Sequence, residues 1–167
     1  ARVPCHAQYA GTYRVRASVT LESEETISLL SNPLRVASGV RRVYWGDLHG
    51  HSGLSDGTGT PGDYFSYARD VSALDLVVLT DHDHFGVRFL DSHPEMWDEI
   101  QRTVREVNEP GEFLALPGYE WTSWLYGHRH VIYLDGAEQQ PLLSSLSRDA
   151  LTPADLWGAL RGKQALT

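Results

Sequence analysis

At 167 residues, with 41% hydrophobic residues and five tryptophans, the chain is long enough for one ordinary domain and rich enough to pack a core. Its net charge of −8 argues against a general nucleic-acid binder, because phosphate backbones are gripped by basic surfaces. A single cysteine, Cys5, excludes an internal disulfide framework and a Cys-rich zinc cage, and no apolar run approaches the roughly 20 residues of a membrane span.

The charge leaves room for a small phosphorylated substrate, since bound divalent cations would supply positive charge locally. A soluble protein without a membrane partner is expected. Cys5-His6 reads as packing rather than half of a metal site. The one methionine is Met96, so the sequence does not open at an initiator and is expected to be a fragment or processed product. Its compartment is left open.

Residues 1–40 read as a β-rich segment, either the tail of a β-sandwich-like domain or cover strands. Tyr13, Val15, Ala17, Val19 and Leu21 alternate with polar residues, which predicts a strand with one buried face. Glu22-Ser23-Glu24-Glu25 is a polar turn and Thr26 to Leu30 a return strand. Asn32-Pro33 breaks the chain before Leu34-Arg35-Val36, and Ser38-Gly39 marks the boundary. Residues 41–167 form the second domain.

From Val43 the pattern alternates strand and helix. Val43, Trp45, Asp47, His49 and His51 share one parity, as on a strand that crosses a core and delivers two imidazoles at its end. Thr60-Pro61-Gly62-Asp63 is a helix start that turns Phe65, Ala68 and Val71 inward. Leu74 to Thr80 reads as a parallel strand covered on both faces and ending in Asp81-His82-Asp83-His84. Ser92-His93-Pro94-Glu95 opens a second helix with Trp97, Ile100, Val104 and Val107 inward, and His93 is read as surface. Phe113 to Leu116 is a strand ending in Pro117-Gly118-Tyr119-Glu120, and Val131 to Leu134 is another, preceded by Gly127-His128-Arg129-His130. Thr152-Pro153-Ala154-Asp155 repeats the helix-start chemistry, and Gln164 to Thr167 reads as a strand beginning. This alternation predicts a parallel α/β sheet, open or barrelled.

Ligands of such sheets bind outside the carboxyl ends of the strands. Three clusters fall at such ends; the fourth, around His128 and His130, enters its strand from the N-terminal side and fits only if the strand already begins near Gly127. Six histidines in three short clusters, with Asp56 and Glu120 beside them, predict a metal site of mixed N and O ligands suited to Zn, Mn or Fe. Asp47, Asp81 and Asp83 are expected to orient the imidazoles. Trp121, Trp124 and Tyr126 either wall a pocket or pack the core.

The series Asp-Leu-His-Gly-His-Ser, Ser-Asp-Gly, Thr-Pro, Leu-Thr-Asp-His-Asp, Gly-Tyr-Glu and Gly-His-Arg-His resembles the successive motifs of the PHP (polymerase and histidinol phosphatase) superfamily, from about Tyr44 to Thr167. The resemblance implies a distorted (β/α)7 barrel, partial in this chain, that hydrolyses phosphate esters with two or three divalent metal ions. It implies ligands His49, His51, Asp56, His82, Glu120 and one of His128 or His130, with Gly127 favouring His128. Asp56, His82, Glu120 and Arg129 are the expected catalytic residues, with Arg129 or His84 on phosphate or the leaving group. The later His and Asp-x-His motifs are absent, so these residues alone are expected to be a poor enzyme whose open edge meets a further barrel segment or another chain. Amidohydrolase-like cleavage of amides or other esters is the alternative within enzymes. A non-catalytic metal-binding domain is the alternative outside them.

Overall fold

A computed structural model describes residues 5–39, 41 and 43–167. The chain falls into two compact units, Ala1–Val43 and Tyr44–Thr167. The edge expected at residues 40/41 involves Val40, which lies outside the described residues.

The first unit holds two antiparallel ribbons. Strand β1 (Gly11–Tyr13) pairs with β4 (Leu34–Val36), and β2 (Arg16–Thr20) pairs with β3 (Thr26–Leu30). The turn and the Asn32-Pro33 break stand where the sequence puts them. The expected buried face does not form: Val19 is 61% and Ile27 48% exposed. A two-stranded ribbon has no second layer of its own to cover a face.

The second unit is mixed α/β, with three helices and one five-stranded sheet among the described residues, in the order β5 (Gly46–Asp47), β6 (Leu76–Leu79), β7 (Leu114–Ser123), β8 (Gly127–Tyr133), β9 (Ala165–Leu166). No closed barrel forms among the described residues. Strands β5, β6 and β7 are parallel, but β8 runs antiparallel to both β7 and β9, so the sheet is mixed rather than parallel. The cause is local. Strand β7 does not stop at Glu120 but continues to Ser123, and three residues, 124–126, then return the chain as a hairpin into β8, whose first residue Gly127 takes φ 75°.

Helices α1 (Pro61–Asp70) and α3 (Pro153–Leu160) start on reciprocal capping boxes, Thr60 with Asp63 and Thr152 with Asp155, so the Thr-Pro-x-Asp pattern sets both boundaries. Helix α2 (Pro94–Val107) starts at His93 without a side-chain cap. Phe65 and Ala68 of α1, Trp97, Ile100 and Val104 of α2, and Leu156 and Leu160 of α3 share one core with Val77, Leu79, Tyr119, Trp121 and Tyr133. Val71, expected inward, is the C-cap of α1 and 65% exposed.

Alternation along the strands separates the two faces of the sheet. Tyr119 and Trp121 enter the helix-covered core, while a second small cluster gathers Leu76, Val78, Leu116 and Ile132. Continuing that second parity along β6, β7 and β8 leads from these apolar residues to Thr80, His82, Glu120, Thr122, His130 and His128. One edge of this face is therefore polar.

Candidate metal centre

The first strand is shorter than its parity pattern predicts. Only Gly46 and Asp47 pair with β6, Trp45 is 70% exposed, and the segment does not cross a core. His49 and His51 nevertheless reach the cluster, because Thr80 anchors the chain beyond β5. The Thr80 hydroxyl donates to the Gly50 carbonyl (3.2 Å) and its oxygen accepts from the Gly50 amide (3.2 Å), while the Thr80 amide donates to the Gly50 carbonyl (2.8 Å).

Residues 51–57 fold back as a tight loop, with the Gly57 amide donating to the Ser52 carbonyl at 2.9 Å. A Cβ at Gly57 would collide with the His51 carbonyl, so only glycine lets the loop close. Fully buried Asp81 pins the loop, accepting from the Ser52 amide (2.9 Å), the Ser52 hydroxyl (2.7 Å) and the Ser55 hydroxyl (2.6 Å).

Beyond β6, His82 bridges Glu120 in parallel register, and within the hairpin Glu120 faces His130 while Thr122 faces His128. Because β8 is reversed, its N-terminal residues lie beside the C-terminal part of β7, and the fourth cluster joins the others. The beginning of β8 at Gly127 meets the condition that the sequence left open.

The side chains converge on Glu120, which is 5% exposed. One carboxylate oxygen lies 3.1 Å from His51 Nε2 and 3.4 Å from His82 Nδ1; the other lies 2.8 Å from His128 Nδ1. Asp56 lies 2.9 Å from His51 Nδ1 and 3.8 Å from His82 Nε2. The His49 ring sits edge-on to His51 (4.9 Å) and stacks on His130 (4.2 Å). Three sets bring their donor atoms within 4.8 Å of one another: His49, His51 and Glu120; His51, Asp56 and His82; His82, Glu120 and His128. Donors of a tetrahedral site with bonds of about 2.0–2.2 Å stand roughly 3.3–3.6 Å apart, so the donor set suits small divalent cations.

Hydroxyl groups, which the sequence did not single out, orient two of the rings. The Thr122 hydroxyl donates to the Glu120 carbonyl (2.9 Å), so its oxygen accepts from His82 Nδ1 (2.6 Å). Thr80, whose hydrogen is committed to Gly50, accepts from His49 Nδ1 (2.9 Å). Each contact leaves the Nε2 lone pair available to a cation. Asp47, Asp81 and Asp83 do not touch the rings as expected. Asp47 accepts from the His49 amide, Asp81 holds Ser52 and Ser55, and Asp83 accepts from the amides of Thr122, His84 and Ser145. A Thr one or two residues from a ligand at a strand end is the signal that would have found the hydroxyls.

Other predicted residues lie apart. Arg129 alternates onto the opposite face, where it donates to the Tyr126 carbonyl (2.7 Å) and lies over Trp121 (5.9 Å); it is not brought to the cluster. His84 pairs with Asp91 (2.9 Å) and stacks on Phe89. Trp121 is core, whereas Trp124 is 85% exposed. A cavity of about 500 Å³ shares His51 with the cluster and is lined also by Asp47, Thr58, Asp63, Tyr64 and Tyr67.

Burial raises the Glu120 pKa, but the His51 hydrogen bond and the charges of His82 and His128 outweigh it and hold the carboxyl at about 2, against 4.5. The Glu120 hydrogen bond raises His51 above 6.5, while burial lowers His82 and His130. A depressed carboxyl pKa means that the unfolded chain takes up the proton first. The stability contributed by ionised Glu120 is therefore full above pH 4.5 and lost as the pH falls toward about 2. In metal-free protein the urea midpoint should drop through that window, and Glu120→Gln should remove this component of the drop.

An uncharacterized protein of Chlamydia pneumoniae is 27% identical over 126 residues, which make up 74% of this chain and 19% of that protein. The chain thus spans about a fifth of the length of this relative. The crystal structure of a "putative metal-dependent phosphoesterase" from Bifidobacterium adolescentis shares 27% identity over 52% of this chain and 26% of that one, with a TM-score of 0.35, below that of chains sharing a fold. The family model described as a protein of unknown function (DUF3604) matches residues 72–167, from the end of α1 to Thr167, and the chain belongs to that family.

Proposed function

We propose that this chain carries the N-terminal part of a metal-dependent hydrolase domain of PHP type, a phosphoesterase acting on a small phosphorylated substrate, with its sheet forming part of a (β/α)7 barrel. One observation carries the reading: four segments separated by up to 79 residues in sequence, 49 to 128, bring five donors onto both oxygens of one buried glutamate or within reach of its partners. Each imidazole offers one lone pair. Of the three donor sets, only the first and third can therefore be filled together, since they share Glu120 alone. Two divalent ions would then be held, one by His49 and His51 and the other by His82 and His128, with Glu120 common to both sets and Asp56 lying near His51 and His82.

Divalent cations held there would supply Lewis-acid polarisation of the ester and activation of water. The chain's own residues fix the geometry. Thr80 and Thr122 hold the imidazoles of His49 and His82, and Asp81 closes the loop that carries Asp56, while Glu120 itself is buried. His130, stacked on His49, belongs to no donor set, so His128→Ala in the full-length protein should remove far more metal than His130→Ala. Equal, negligible losses would show that neither is a ligand.

The test of the reading is metal analysis of the full-length protein with turnover of phosphomonoesters, phosphodiesters and amides, before and after chelation. Chelator-sensitive phosphate release supports it. Amide cleavage alone would place the chemistry with the amidohydrolases, and bound metal without any turnover would leave a metal-binding domain.

A further inference from the structure

We propose that Phe85 and Trp124 form a stacking subsite for a planar aromatic substituent of the substrate, an assignment that rests on the hydrolase reading above. Tryptophan is among the most buried residue types on average, yet Trp124 is 85% exposed at the tip of the β7–β8 hairpin, next to Leu125 at 79%. The tip is held in place. The Ser123 hydroxyl oxygen accepts from the amides of Leu125 (3.3 Å) and Tyr126 (3.2 Å), and Arg129 clamps the Tyr126 carbonyl from below (2.7 Å).

Phe85 is fixed just as firmly. The next residue, Gly86, takes φ 106°, and a Cβ there would meet the Ser55 carbonyl at 2.6 Å, so the segment lies tight against the loop that carries Asp56. The half-buried Phe85 ring stands edge-on to His82 (4.9 Å), and Trp124 stands edge-on to Phe85 (6.0 Å). These are ordinary separations for interacting rings. The rings therefore step outward from the donor cluster, first half-buried, then almost wholly open. A reacting ester held beside His82 would extend its substituent along this row of aromatic rings, and the tip residues themselves, Trp124, Leu125 and Tyr126, carry no charge. A flat ring gains most from such a surface, because stacking rewards any π-face without demanding hydrogen bonds.

The test uses the metal-loaded full-length protein and two probes, phenylphosphonate and methylphosphonate, with affinities read by calorimetry. The wild type should bind phenylphosphonate about tenfold tighter than methylphosphonate. Trp124→Ala should reduce that ratio to below about threefold while leaving methylphosphonate affinity and metal content unchanged, and Trp124→Phe should restore most of it. An unchanged ratio in Trp124→Ala, or equal weakening of both probes, would overturn the subsite while methylphosphonate binding and phosphate release still support the hydrolase reading. Failure of both probes to bind would overturn the subsite together with the phosphoesterase assignment.

Discussion

Replacing Glu120 by glutamine in the full-length protein is expected to empty the site and abolish turnover. Both carboxylate oxygens are engaged, one with His51 and His82 and the other with His128, and the group is 5% exposed. Glutamine keeps the shape but removes the charge and turns one oxygen into an N–H donor aimed at imidazole nitrogens. Residues one contact removed from a metal already cost 10–100-fold in affinity, so the loss here should exceed about a hundredfold. The His51 pKa provides an independent readout. The Glu120 hydrogen bond is the largest cause that raises it, so in metal-free Glu120→Gln the NMR titration of that ring should move toward lower pH. A variant that keeps its metal and its His51 titration would remove Glu120 from the centre of the site.

Asp81→Ala is expected to cost the most stability of any single change near the site. The carboxylate is fully buried and accepts three hydrogen bonds, two from hydroxyls and one from an amide, all belonging to residues 52–55. Removing it strands those donors, and a buried group left unsatisfied costs about 1–3 kcal/mol, so the sum should reach roughly 3 kcal/mol or more. The loop that carries Asp56 would then be free to open, and metal affinity should fall together with the urea midpoint. Asp81→Asn retains an acceptor oxygen and should lose less. Unchanged stability in Asp81→Ala would mean that the loop is held by its own turns.

Much of this chain could be read without coordinates, because the signals were local. Thr60-Pro61-Gly62-Asp63 and Thr152-Pro153-Ala154-Asp155 carry their own capping chemistry, so they start helices wherever the chain places them. The apolar run Leu76 to Leu79 with buried Val77 and Val78 needed no partner to be recognised as an inner strand. The donor residues were equally legible by type and spacing, since imidazoles two apart on extended chain share a side.

Tertiary structure decided the rest, for reasons that no spacing encodes. Strand direction was one: whether the Ser123–Gly127 stretch ends a strand or turns it depends on whether β8 finds β7 as its neighbour, and that pairing brings His128 to Glu120. The side on which Arg129 falls followed from that register, which set it over Trp121 and away from the cluster. The orienting groups were another. Thr80 and Thr122 matter only because their oxygens lie 2.9 and 2.6 Å from rings 31 and 40 residues away in the chain. A carboxylate such as Asp81 reads in the sequence as a partner for the neighbouring imidazoles and becomes a loop anchor only once Ser52 and Ser55 fold onto it. The sequence thus determined which donors the chain carries and where its helices start, while the packing of β8 against β7 decided which donors meet.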